Sequence, residues 1–152
     1  MSLQFTLIQD YPTGLDHLWS AFGQPDYPTQ KYQALGCSAL RLRRFESTAR
    51  TIEVELERDA PVDRSQLPIW AKPLVGRLQT LHHHTVWRRT DPAKVTAVLD
   101  ISPVGFPVEA HGVGVITETT PATTRMALAW QVKSVLGAKV ERLFANQLRA
   151  AL

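Results

Sequence analysis

The sequence predicts an α+β fold in which a curved, seven-stranded antiparallel sheet wraps around a long C-terminal helix. Two patterns support this prediction. From Ser38 to Lys133, apolar and polar residues alternate, which is typical of strands with one buried face. The following stretch repeats apolar residues about every 3.6 positions, as one side of a helix does. These residues are Leu136, Val140, Leu143, Phe144, Leu148 and Leu152. Such a helix needs a broad apolar surface, and we expect the sheet to provide it.

One strand and two short helices are predicted at the start of the chain. Leu3 to Gln9 alternates in character like a strand, and a turn-forming segment with proline and glycine follows it. Apolar residues then have helical spacing from Leu15 to Phe22, and Gly23 is expected to end this helix. A second short helix is predicted from Asp26 to Leu35, because its early proline lies where the first turn of a helix tolerates one.

Two strands with complementary charges are predicted next. In the first, Leu40 and Leu42 alternate with arginines until the phase shifts at Arg44 and Phe45, as a β-bulge would cause. In the second, apolar residues alternate with three glutamates between residues 52 and 57. Antiparallel pairing would place the arginines opposite the glutamates. Each exposed pair contributes only ~0.2–1 kcal/mol, so we expect the charges to favour the register more than the overall stability.

Four further strands are predicted after an apolar, proline-containing segment at residues 60–76. They are Leu78–Arg88, Lys94–Ile101, Val108–Thr117 and Arg125–Lys133. Short connections join them, and such connections require antiparallel pairing. The intervening segment has too many apolar side chains for a polar linker, so we expect it to fold back over the body. Residues 1–152 are expected to form a single domain.

Composition and charge narrow the class of protein. Hydrophobic residues make up 44% and charged residues 20%, as in ordinary globular proteins. The net charge of +3 is spread along the chain, which gives little support to nucleic-acid binding. A single cysteine, Cys37, is typical of a reducing compartment. Because the sequence begins without a signal-peptide pattern and has no apolar run of ~18 residues, we expect a cytoplasmic location and no stable membrane insertion.

Turn and packing residues along nearly the whole chain form a further pattern. They are Tyr11-Pro12, Leu18-Trp19, Pro25-Asp26-Tyr27, Ala34-Leu35-Gly36, Trp87, Gly112 and Val135-Leu136-Gly137-Ala138-Lys139-Val140-Glu141. Together with the order of the elements, this pattern resembles the helix-grip fold of the START-like (SRPBCC) superfamily. Within that superfamily, the closer match is to an uncharacterised bacterial family, domain of unknown function 2505. The resemblance implies one START-like domain with a hydrophobic ligand, and it implies no established activity.

A ligand-binding cavity is predicted between the sheet and the C-terminal helix. We expect a long helix across a strongly curved sheet to leave an apolar pocket, and such pockets typically measure ~300–1,000 Å³. Its ligand would be a hydrophobic small molecule such as a lipid, an isoprenoid, a polyketide or an aromatic metabolite. The segment Leu67–Val75 is expected to act as a lid, with Trp70 as its plug. The predicted lining residues are Trp70, Val75, Ala97, Leu99, Phe106, Gly112, Met126, Leu128, Trp130, Val140, Leu143 and Phe144.

Catalysis and metal binding have less support in the sequence. His82 and His84 point to one face of a strand and His83 to the other. Two imidazoles can share a metal ion, but the site needs a third ligand with good geometry. The simpler interpretation is a polar sheet face and one histidine packed near Trp87. We therefore expect no catalytic residue, no metal and no cofactor.

Two other functions remain compatible with the sequence. One is a cyclase- or hydrolase-like enzyme that acts on a polyketide-type substrate in the same cavity. Its candidate polar groups are His82, His83, His84, His111, Asp100 and Glu109. The other is a protein-interaction module, in which Leu67–Val75 forms an exposed apolar patch for a partner.

Overall fold

The chain folds in the predicted order of one strand, two short helices, six strands and a C-terminal helix. The computed structural model describes residues 2–37 and 39–151. Ser38, where the alternation was predicted to begin, and Leu152, the last apolar position of the predicted helix, lie outside the described residues. The elements are β1 (Ser2–Tyr11), α1 (Leu15–Phe22), α2 (Tyr27–Ala34), β2 (Leu40–Ser47), β3 (Thr51–Pro61), β4 (Leu78–Asp91), β5 (Lys94–Pro103), β6 (Val108–Thr120), β7 (Thr123–Ser134) and α3 (Ala138–Ala151). Two 3-10 turns, Arg64–Gln66 and Ile69–Leu74, lie between β3 and β4.

All seven strands belong to one antiparallel sheet with the order β1-β7-β6-β5-β4-β3-β2. Strands that follow one another from β2 to β7 are neighbours, as the short connections require. β1 lies beside β7, so the first and last strands of the chain are paired. The seven-stranded antiparallel sheet predicted from the alternation is therefore confirmed.

The pairing of β2 with β3 confirms the predicted bulge and the predicted charge pairs. The register shifts between Leu42 and Arg44. Arg41 Nε and Arg43 Nη2 lie 3.5 and 3.3 Å from Glu57 Oε2. Because these side chains are partly exposed, each pair contributes at most about 1 kcal/mol and acts mainly on the register.

α3 lies on the concave face of the sheet and packs against β7, β1 and β6. Leu128 and Trp130 of β7 are buried in the same apolar cluster as Val140, Phe144 and Leu148 of α3. Each of these side chains contributes about 1.5–3 kcal/mol when it is fully buried. Among residues 2–37 and 39–151, no helix is long and apolar enough to cross a membrane.

The short helices cover the other end of the concave face. Leu15, Leu18 and Phe22 of α1 are buried against the inward-facing row of β3, which includes Ile52 and Val54. α2 contributes buried side chains to the same region of the interior. The two helices and α3 therefore lie on one face of the sheet and leave the opposite face to solvent.

A buried glutamate holds the turn between β7 and α3. Glu141 is 2% exposed, and its Oε2 accepts a hydrogen bond of 2.9 Å from the backbone N–H of Ser134. Gly137 precedes the helix with a φ of 100°, a conformation that side-chain-bearing residues rarely adopt. These two residues direct the chain from the last strand back across the sheet.

Candidate ligand-binding site

An open groove of about 230 Å³ lies between the second half of α3 and the concave face of β3 and β4. Its walls are mainly apolar and are formed by Leu35, Ala60, Pro61, Leu81, Phe144, Leu148 and Ala150. Two polar side chains, Arg58 and Gln147, complete the lining. Arg58 and Ala60 face the groove because they continue the row of alternate residues on β3 that begins with the buried Ile52.

A smaller pocket of about 30 Å³ lies beneath residues 62–77. Leu67 and Val75 of this segment line it, and Val140 lines it from α3. Its volume is enough for one or two water molecules. Phe144 and Gln147 each line both this pocket and the groove, so these two side chains lie between the two spaces.

Most of the predicted lining residues lie on the concave side of the sheet, in two different settings. Those that line the groove or one of the small pockets are Val75, Leu99, Phe106, Val140, Leu143 and Phe144. Those that belong to or pack against the solid core are Ala97, Gly112, Leu128, Trp130 and Met126. Of the first set, only Phe144 lines the groove itself, and the others line pockets of about 30 Å³.

The predicted role of Trp70 as a plug is wrong. Trp70 is 51% exposed and its neighbour Ile69 is 86% exposed. The 3-10 turn that contains them buries Ala71 instead, because successive residues of so tight a turn point in different directions. Leu67 and Val75 cover the pocket in place of the tryptophan.

The interior is filled more completely than the sequence predicts. Trp130 is fully buried and occupies the space above Gly112, where an added Cβ would lie 2.9 Å from three carbons of the indole. Its ring also stacks on Phe5, with 6.5 Å between the ring centroids. Gly112 thus permits close packing of a large side chain, and the expected cavity of ~300–1,000 Å³ is not open above it.

A buried polar cluster lies beside the groove. Arg58 is 6% exposed and His83 is 3% exposed. Arg58 Nε donates a hydrogen bond of 3.0 Å to His83 Nε2, and His83 Nδ1 lies 3.4 Å from the hydroxyl of Tyr32. The guanidinium carbon also lies 4.8 Å from the centroid of the Tyr32 ring, within range of a cation–π interaction. The three side chains therefore hold one another in place.

These hydrogen bonds determine the protonation of His83. Arginine can only donate, so Nε2 of the histidine must carry the lone pair. The proton of the neutral ring then lies on Nδ1 and points to the hydroxyl of Tyr32. Burial, followed by the positive charges of Arg58 and Lys31, lowers the pKa of His83 well below its usual value of 6.5. His83 is a poor general base, because its only lone pair is already in use.

A second pocket of about 30 Å³ lies beneath α2. Lys31 and Tyr32 line it from the helix, and His83 and Trp87 line it from β4. Burial and, to a smaller extent, the charge of Arg58 lower the pKa of Lys31. The indole N–H of Trp87 is buried without a hydrogen-bond acceptor in the part of the chain that the structure describes. Within residues 2–37 and 39–151, this pocket is therefore lined by one residue whose buried donor lacks an acceptor, Trp87.

The other polar candidates lie on the outer face of the sheet. They form three histidine–carboxylate pairs, which are His82 with Glu55, His84 with Glu53, and His111 with Asp100. Glu109 is exposed on the same face. Within the described ranges, no three histidine, cysteine or carboxylate side chains are grouped as a metal site would require. Of the polar groups proposed for an enzyme, His83 alone enters the interior.

Arg58, Tyr32 and Lys31 are not among the residues predicted for the site. The burial of Arg58 could have been predicted from β3, because the alternating row of inward-facing residues runs from Ile52 through Leu56 to position 58. A charged residue that continues a row of inward-facing apolar residues on a strand indicates a buried charge. α2 offered no such signal, since its sequence is polar on most sides and does not indicate which side faces the sheet.

Comparison with solved structures identifies START-like proteins of the same fold. The Zhui aromatase/cyclase from Streptomyces sp. R1128 aligns with a TM-score of 0.60 at 10% identity, over 99% of this chain and 88% of its own. The lipid transfer and protein localization domain of human StarD13 (DLC2) aligns with a TM-score of 0.56 at 8% identity, over 97% and 72%. A START superfamily protein from Mycobacterium smegmatis has a TM-score of 0.50 at 12% identity, over 97% and 90%. At such identities the likeness shows the fold alone.

The sequence also matches one family model over nearly its whole length. The match covers residues 6–152, and the family is described as "Protein of unknown function (DUF2505)". A comparison with curated proteins found no match. The chain therefore belongs to this family, and it has the START-like helix-grip fold that its residue pattern resembles.

Proposed function

We propose that the protein binds a hydrophobic small molecule between the concave face of the sheet and α3, with residues 1–152 acting as one START-like domain. The groove of about 230 Å³ carries this proposal, because its walls are mainly apolar although it is open to solvent. An apolar ligand placed there gains roughly 25 cal/mol for each Å² of apolar surface removed from water. The names of two structural neighbours, a lipid transfer domain and an aromatase/cyclase, support a small-molecule ligand.

The groove and the pocket beneath residues 62–77 are proposed as two parts of one binding site. Phe144 and Gln147 line both spaces, and we propose that a movement of these side chains joins them. Leu67 and Val75 then form the roof of the joined space. The segment that carries them acts as a lid that moves when a ligand enters.

Filling the groove tests this function. Ala60→Phe places an aromatic ring in the groove from β3, whereas Ala129→Phe places the same ring on the exposed outer face of β7. Both variants are titrated with N-phenyl-1-naphthylamine, a neutral dye whose fluorescence rises in apolar surroundings. We expect Ala129→Phe to bind the dye like the wild type and Ala60→Phe to bind it at least about tenfold more weakly, since the ring occupies the ligand's space. Equal affinities for all three proteins would contradict the groove as the binding site.

Native mass spectrometry of freshly purified protein addresses the identity of the ligand. A bound molecule adds a defined mass, and extraction with organic solvent removes that mass. The extracted molecule is then identified directly. We expect the added mass to be absent from Ala60→Phe and present in Ala129→Phe.

Interaction with a protein partner is the second candidate function, and the exposure of Ile69 and Trp70 favours it. Two neighbouring large apolar side chains in solvent are typical of a contact surface. A partner that binds there would protect residues 62–77 from proteolysis, and replacing Ile69 and Trp70 with serine would abolish the protection. Protection by the dye alone would favour the small-molecule function instead.

A further inference from the structure

Arg58 is a buried cation without a negatively charged partner among residues 2–37 and 39–151. Its Nε donates to His83, and neither Nη atom donates a hydrogen bond within these ranges. No carboxylate in the same ranges lies within 4.0 Å of the guanidinium. His83 is neutral and supplies no counter-charge. Buried charges are normally paired, because an isolated ion loses its hydration when it leaves water.

A second cation lies at the same aromatic ring. Lys31 Nζ lies 5.3 Å from the centroid of the Tyr32 ring, and the guanidinium carbon of Arg58 lies 4.8 Å from it. Lys31 likewise has no carboxylate within 4.0 Å in the part of the chain that the structure describes. Two cations at one ring repel each other, and an anion beside them would relieve that repulsion.

The hydroxyl group of Tyr32, beside Arg58 and His83, is a further donor. Its oxygen accepts a hydrogen bond from the Nδ1–H group of His83, so the hydrogen of the hydroxyl is available to another acceptor. A ligand that pairs with the Tyr32 hydroxyl and with Arg58 must supply acceptor oxygen atoms, and a negative charge satisfies Arg58 best.

We propose that the ligand of the groove is an anionic amphiphile whose carboxylate pairs with the guanidinium of Arg58, while its apolar part lies along Phe144 and Leu148. This inference rests on the proposed small-molecule function. Arg58 lines the groove, and its Nε donates a hydrogen bond to His83. Its two Nη groups donate no hydrogen bond within residues 2–37 and 39–151, so they can bind the two oxygen atoms of a carboxylate. Phe144 and Leu148 form apolar walls of the same groove.

Probes that differ only in their head group test the preference for charge. Decanoate and 1-decanol share an aliphatic chain, and 2-naphthoate and 2-naphthalenemethanol share an aromatic ring system. Calorimetric titration at pH 7.5 compares the affinities within each pair. We expect the wild type to bind at least one carboxylate about tenfold or more tightly than its alcohol, as a charge-assisted hydrogen bond predicts. The pair with the larger ratio shows whether a fatty acid or an aromatic acid is the better model of the ligand.

Two variants assign the preference to a residue. Arg58→Gln removes the charge and keeps an N–H group for His83, whereas Arg142→Gln removes a charge from the exposed side of α3. We expect Arg58→Gln to bind the alcohols like the wild type and to lose the preference for the carboxylates. Arg142→Gln should keep that preference. The wild-type comparison decides the question of charge even where Arg58→Gln does not fold.

Different results would contradict the small-molecule function and the inference of an anionic ligand. If the wild type binds alcohols and carboxylates equally, the inference of an anionic ligand is wrong and the small-molecule function is supported. If a carboxylate preference persists in Arg58→Gln, or disappears equally in Arg142→Gln, the assignment to Arg58 is overturned. If the wild type binds neither these probes nor N-phenyl-1-naphthylamine, the small-molecule function itself is refuted.

Discussion

Replacing His83 with glutamine is expected to remove an acid-dependent loss of stability. The folded protein keeps this imidazole neutral, because burial and then the charges of Arg58, Lys31 and His82 lower its pKa well below 6.5. In the unfolded chain the same histidine has a pKa of about 6.5. Below that pH the unfolded state takes up a proton that the folded state does not. The free energy of unfolding therefore falls as the pH falls.

The size of the effect follows from proton linkage. While the pH lies between the two pKa values, the histidine lowers the free energy of unfolding by about 1.4 kcal/mol per pH unit, so the loss between pH 7.5 and 5.0 is at most about 2 kcal/mol. Glutamine does not titrate. Its side-chain oxygen can accept from Arg58, and its amide group can donate to Tyr32. His83→Gln should therefore lose less stability than the wild type over this pH range, by up to about 2 kcal/mol.

Urea unfolding followed by tryptophan fluorescence at pH 7.5, 6.5, 5.75 and 5.0 measures this difference. His17→Gln serves as the control, because His17 is exposed on α1. The control should follow the wild-type pH dependence, and His83→Gln should diverge from it only below about pH 6.5. Parallel pH profiles of the wild type and His83→Gln would refute the conclusion that His83 is a neutral core residue.

Three further substitutions test the packing. Gly112→Ala should lower the free energy of unfolding by about 1–2 kcal/mol in urea titrations, because its Cβ would overlap the enclosed ring of Trp130; no loss would contradict the close packing. Glu141→Ala should cost about 1–3 kcal/mol and Glu141→Gln less, since glutamine still accepts from the backbone of Ser134; equal losses would show that this hydrogen bond is unimportant. Trp70→Ala should shift stability by under about 1 kcal/mol in thermal unfolding, as its ring is half exposed; a large loss would restore its predicted role as a plug.

The strands and their pairing could be predicted because they depend on local periodicity. In β3, Ile52 and Leu56 share a face with Arg58 simply because successive side chains of a strand point to opposite sides. The bulge at Arg44 is visible as a change of phase in the same way. Backbone geometry alone determines such features, so one sequence is enough to identify them.

The polar side of the candidate site could not be predicted, because it depends on contacts between distant elements. Because side chains alternate along a strand, His83 must lie on the opposite face of the sheet from His82 and His84. The alternation does not indicate which of the two faces of β4 turns inward. His83 turns inward together with Leu81 and Thr85, and there it contacts Arg58 and Tyr32, the latter from a helix residue 51 positions earlier in the chain. The exposure of Trp70 likewise depends on a 3-10 turn whose direction follows from the burial of Ala71. Residue type alone misplaces such side chains.

The pairing of β1 with β7 has a consequence for how the protein is made. A ribosome adds roughly 5–20 residues per second, so Ser2–Tyr11 waits roughly 6–20 s before Thr123–Ser134 is synthesised. Strands β2 to β6 can pair with their neighbours as they emerge, but β1 has no partner until the end. Its unpaired backbone is open to other nascent chains during that interval. Of the seven strands, β1 is synthesised before the others and yet is among the last to pair, and we expect chaperones that hold this segment to raise the yield of folded protein.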